Sequence, residues 1–68
     1  EWLYTTWDVK EREIQEIADR VKVANPGFHI DDIDYKESAD NSKVYIFELE
    51  QGDNERQVTV DMDGNIIG

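Results

Sequence analysis

The stretch Lys43 to Met62, KVYIFELEQGDNERQVTVDM, decides how this chain folds. On either side of Gly52-Asp53-Asn54 the apolar residues come at every second position, Tyr45, Phe47 and Leu49 before it and Val58, Val60 and Met62 after it. A period of two belongs to strands, and a Gly-Asp-Asn centre belongs to a tight hairpin. A two-residue turn at Asp53-Asn54 pairs Leu49 with Val58, Phe47 with Val60 and Tyr45 with Met62. All six side chains then share one face.

Upstream, Phe28 to Tyr35 reads as a further strand, with Ile33 facing Phe47 and Tyr35 facing Tyr45. Phe28 and Ile30 have the wrong parity for that face unless one extra residue is inserted, so the spacing predicts a β-bulge at Asp31-Asp32. Ser38-Ala39-Asp40-Asn41-Ser42 is the polar connection to the next strand. Downstream, Asp63-Gly64-Asn65 supplies another turn and Ile66-Ile67 a short fourth strand. The expected apolar sheet face is Phe28, Ile30, Ile33, Tyr35, Tyr45, Phe47, Leu49, Val58, Val60 and Met62.

Further upstream the period changes. Trp7, Ile14, Ile17, Ala18, Val21 and Ala24 recur at helical spacing, interrupted by Lys10, and predict an amphipathic helix. Thr5 or Thr6 is placed to cap it, with Asp8 in its first turn; Asp8 with Glu11 forms a rival capping box. Asp8 with Arg12 and Glu16 with Arg20 are acid-first i,i+4 pairs for its wet face. Asn25-Pro26-Gly27 stops it, because the residue before proline is pushed out of the α region. The expectation is one α+β domain over residues 1–68: an aromatic segment 1–6, one N-terminal helix 7–25, and an antiparallel β-meander of three to four strands over 28–67, in the order α-β-β-β(-β).

Composition limits what such a domain does. A chain of 68 residues buries only about 60% of its unfolded surface, so its stability margin is thin. Seventeen acidic against seven basic residues give a net charge of −10. That charge repels phosphate backbones and argues against nucleic acid as a partner. No apolar run approaches the ~20 residues of a membrane helix, so membrane insertion is not expected. Without cysteine there is neither a disulfide nor a thiolate metal site. The start at Glu1 and the end at Gly68, after an apolar pair, suggest a piece of a longer precursor.

The order of helix, Asn25-Pro26-Gly27-Phe28, strand, Val44-Tyr45-Ile46-Phe47-Glu48-Leu49, Val58-Thr59-Val60-Asp61 and Asp63-Gly64-Asn65-Ile66-Ile67 resembles the PepSY and PepSY-like domains. The likeness runs from Ile14 to Ile67. It implies a secreted, periplasmic or cell-envelope protein, of a kind found in peptidase propeptides and in proteins thought to restrain enzymes. Glu1 to Thr6 lies outside the resemblance.

Catalytic chemistry finds little footing. The two serines sit in one polar loop, and the single histidine, His29, alternates with Phe28 and Ile30 toward the wetter face. No enzymatic activity is expected. For cations, Asp61-Met62-Asp63-Gly64-Asn65-Ile66 matches the centre of an EF-hand loop, so Asp61, Asp63 and Asn65 are candidate calcium ligands. The ends of that loop do not match, and a hairpin turn explains the same residues. Asp31, Asp32 and Asp34, with Glu37 and Asp40, form a second acidic group of the kind that guards an edge strand, although a hard cation also accepts such oxygens.

The favoured reading is a regulatory protein-binding module with no cofactor, whose partner is another protein or a neighbouring domain. Its candidate contacts are Val44, Ile46 and Thr59, which alternate to the side of the sheet away from the helix, and the aromatic Trp2 and Tyr4. The alternatives are a structural packing domain of a larger envelope protein and an acidic calcium-responsive module.

Overall fold

The computed structural model describes residues 4–68, apart from the side chains of Tyr4 and Thr5. Four antiparallel strands form one sheet in the order β1-β2-β3-β4: β1 is Tyr4–Asp8, β2 His29–Ser38, β3 Lys43–Gln51 and β4 Asn54–Asp61. A 3₁₀ turn, Glu11–Ile14, leads into the single α-helix α1, Gln15–Ala24, which links β1 to β2.

The chain order is therefore β-α-β-β-β, which overturns the expected helix-first order. Trp7 and Asp8 lie in a strand instead of starting a helix at residue 7, and residues 4–6 belong to that strand as well. As the first helical residue, Trp7 would stand two turns ahead of Ile14 with only Lys10 between them. In the strand, Trp7 pairs with Tyr35, its ring 4.5 Å from the tyrosine ring, and the Val9 amide donates to the Ile33 carbonyl at 2.9 Å. Thr5, Thr6 and Trp7 are strand formers, and their pairing satisfies backbone groups that β2 would otherwise leave bare.

The helix is shorter than 7–25 but stops where expected, with the Asn25 amide donating to the Val21 and Lys22 carbonyls. Neither predicted ion pair, Asp8 with Arg12 or Glu16 with Arg20, forms among the described residues. Lys22 instead bonds Glu11 at 2.6 Å, and Arg20 donates to the Asp63 carbonyl at 3.3 Å.

The β2–β3 register shifts between Ile30 and Asp32, which puts the bulge at Asp31 as the parity argument required, and Ile33 faces Phe47. The β3–β4 hairpin turns on Gly52-Asp53, not Asp53-Asn54, and pairs Tyr45 with Val60, Phe47 with Val58 and Leu49 with Arg56. Gly52 takes φ 58°, the conformation that a tight hairpin needs and glycine accepts without strain. The register moves by two residues, so the face assignment survives.

Ala18 and Val21 of the helix pack on Ile33, Phe47, Leu49, Val58 and Val60 of the sheet; Ile14, Ile17, Phe28, Ile30, Tyr45 and Val9 border this core. Met62 falls beyond β4 and is exposed, contrary to the expected face. The expected strand at Ile66-Ile67 is a single bridge from Ile66 to Val60, flanked by bonds between Thr59 and the amide of Ile67 and carbonyl of Gly68. Gly64, at φ 90°, turns the chain for this return, and a side chain there would press on Arg20. Among the described residues no helix is long and apolar enough to cross a membrane.

Candidate partner-binding face

Because α1 covers one side of the sheet, the pairing register fixes what the other side displays. One row runs Asp8, Asp34, Ile46, Thr59; the next runs Thr6, Lys36, Val44, Asp61; a third runs Asp32, Glu48, Gln57. Val44, Ile46 and Thr59 are thus neighbours, each half-buried in its strand, and Ile67 stands beside Thr59 with 59% of its surface exposed. Three of the five candidate contacts are brought together. Tyr4 is placed in β1 opposite Ser38, whereas Trp2 and the Tyr4 side chain lie outside the described residues.

The same face changes chemistry across its width. Over β3 and β4 it carries the apolar pair Val44 and Ile46 beside Thr59, with Glu48, Gln57 and Asp61 around them; over β1 and β2 it is mainly acidic, with oxygens of Asp8, Asp32 and Asp34 all within 4.8 Å of one another. Burial raises the Asp34 carboxyl above its ordinary value of 3.8. The charge of Asp32, a hydrogen bond with Asp8, and the charges of Asp8 and Glu48 push the same way. Asp32 spends one oxygen on the Ile33 amide at 3.0 Å.

Asp32 and Asp34 were legible in the sequence as a pair on one face. Asp8 was not, because the helical reading carried it to the other side of the domain; the strand signal was the run Thr5-Thr6-Trp7 followed by Val9, with Trp7 and Val9 in alternation. The Asp61-Asp63-Asn65 candidate behaves as a turn. Asp61 accepts from the amides of Asp63 at 3.0 Å and Asn65 at 2.8 Å and from the Asn65 side chain at 3.2 Å, and these bonds lower its pKa below the ordinary 3.8, the Asn65 amide most. Its oxygens are committed to the chain reversal.

His29 is exposed at the start of β2. On the helix side, by contrast, polar groups are tied down. Asn25, 6% exposed, donates to the Val21 carbonyl at 2.9 Å and accepts from Arg56 at 2.5 Å, while the Arg56 guanidinium lies 4.5 Å from the centre of the Phe28 ring. A shallow groove of about 300 Å³ lies at the bulge end between Asp31, Glu48, Glu50, Glu55 and Arg56. Its lining is acidic too.

No family model, no curated protein and no solved structure matches the chain.

Proposed function

We propose that this chain is a non-enzymatic protein-binding module that receives a cationic, partly apolar segment of another protein on its open sheet face. What carries the reading is the juxtaposition on that face of Val44, Ile46 and Thr59 with the carboxylates of Asp8, Asp32 and Asp34. Apolar surface supplies affinity by leaving water, and the acidic flank selects a basic partner and steers its approach. An anionic partner would meet the acidic flank and a net charge of −10. The resemblance to PepSY-like domains adds a class of partner, an enzyme of the envelope or secreted fraction that the module restrains.

The test uses a fifteen-residue peptide of lysine and leucine at helical spacing, with its glutamate counterpart as control, and amide shifts as the readout. The lysine peptide should move the Val44, Ile46 and Thr59 amides while the control leaves them in place. Val44→Lys combined with Ile46→Lys should weaken binding by about tenfold or more, as loss of an interface centre does. Equal response to both peptides, or undiminished binding by the double-lysine chain, would sink the proposal.

A further inference from the structure

The two edges of the sheet are not treated alike. The β4 edge is covered over Thr59 to Asp61 by the chain's own return through Asn65 and Ile66 to Gly68, and its other half carries Glu55 and Arg56. The β1 edge, Tyr4–Asp8, has no proline, lysine or bulge to blunt it; Asp8 is its one charged residue, and among the described residues no strand pairs with its outer side.

Antiparallel pairing alternates the direction of the backbone groups. The Val9 amide bonds Ile33, and so Val9 and Trp7 turn their amide and carbonyl toward β2 while Thr6 and Asp8 turn theirs outward. On the helix side of this open edge lies Trp7, its ring 4.5 Å from that of Tyr35 and tilted 36° to it, and still 50% exposed. On the other side lie the carboxylates of Asp8 and Asp34, with Asp32 close by. The edge thus offers main-chain partners flanked by an aromatic surface on one side and negative charge on the other.

We infer that β1 is a strand-addition site for an extended peptide whose residues alternate between basic and apolar. In this arrangement the peptide backbone bonds Thr6 and Asp8, its basic side chains lie beside Asp8 with Asp34 one strand further in, and its apolar side chains cover Trp7. Strand addition takes affinity from main-chain bonds and specificity from alternate side chains. The match is with a period-two pattern, not a helical one. The inference rests on the protein-binding reading but names a different contact, the edge in place of the flat face.

The probe is an eight-residue peptide of alternating lysine and valine, followed by amide and indole shifts of the whole chain. Shifts at Thr6, Trp7 and Asp8 are expected, with the glutamate-valine analogue inert. Asp8→Asn with Asp34→Asn should weaken the lysine peptide about fivefold, the scale of one cross-strand charge pair with a second carboxylate behind it. N-methylation of the probe at every second residue, which removes the donors facing β1, should cost tenfold or more by the loss of several main-chain bonds. Shifts confined to Val44, Ile46 and Thr59 would overturn strand addition and leave the flat-face reading standing. Silence at Thr6, Trp7 and Asp8, full binding by the methylated probe, or concentration-dependent shifts of those residues in the protein alone, which would assign the edge to a second copy, would each overturn it as well.

Discussion

At its β4 side the sheet is fastened to the rest of the molecule, and at its β1 side it is held by one neighbour and strained by like charge. Arg56 of β4 reaches Asn25 at the end of α1 and covers Phe28, and Val58 and Val60 are buried under Ala18 and Val21. At β1 the ring of Trp7 rests on Tyr35, but directly beside it Asp8 faces Asp34, a pairing of like charges that costs stability. The contacts thus predict a more stable side and a more labile side in one small sheet, because local opening is easiest where fewest buried contacts hold an element.

The contrast breaks most completely at the centre that both sides share. Phe47→Ala removes the largest fully buried side chain and should cost about 3–5 kcal/mol, enough to unfold a domain of this size; urea denaturation read by tryptophan emission would measure it. A loss under about 1 kcal/mol would mean that the core is not centred on Phe47.

One step smaller is the fastening itself. Asn25→Ala leaves a buried Val21 carbonyl without its side-chain donor and Arg56 without its acceptor, at about 1–3 kcal/mol. Amide exchange should quicken around Arg56 and Val58 and stay unchanged at Val9. Equal quickening at both places would erase the distinction between the sides.

The smallest effect has the opposite sign. Asp34→Asn removes one charge of the cross-strand pair and should stabilise the chain at neutral pH by a few tenths of a kcal/mol, given solvent screening, with slower exchange of the Val9 amide. Acid separates the two sides in the same way. Asp34 has a raised folded pKa, so its contribution grows as pH falls through that value toward 3.8 and is complete below it. Asp61 has a lowered one, so its contribution is present above 3.8 and disappears as pH falls through the lower folded value. Val9 should therefore gain protection before the Asn65 amide loses it. The reverse order on a pH titration of exchange would contradict the assigned bonds.

Much of this was legible from the chain between Asn25 and Met62. The faces of β3 and β4 followed from alternation, the bulge at Asp31 from the parity of Ile30 and Ile33, and the helix stop from Asn25-Pro26-Gly27. Even the hairpin register, displaced by two residues, left the side chains within β3 and β4 on their expected faces because the period is two, and only Met62, beyond the end of β4, was lost. The outer apolar group of Val44, Ile46 and Thr59 came from the same arithmetic.

The N-terminal strand did not. Trp7 satisfied a helical stripe and a strand alternation equally well, and a single apolar residue at the end of a pattern cannot choose between periods. The choice was made by Tyr35 and Ile33, residues distant in sequence whose ring and carbonyl give Trp7 and Val9 their partners. With that choice Asp8 moved from a helix terminus to the face of Asp32 and Asp34, and an open edge was created. By itself the sequence determined which residues share a side of β2, β3 and β4, since alternation is a local property of the backbone. Only the tertiary structure decided which strand lies beside which, because strand neighbours are set by contacts between distant parts of the chain, and with them the acidic seam and the edge.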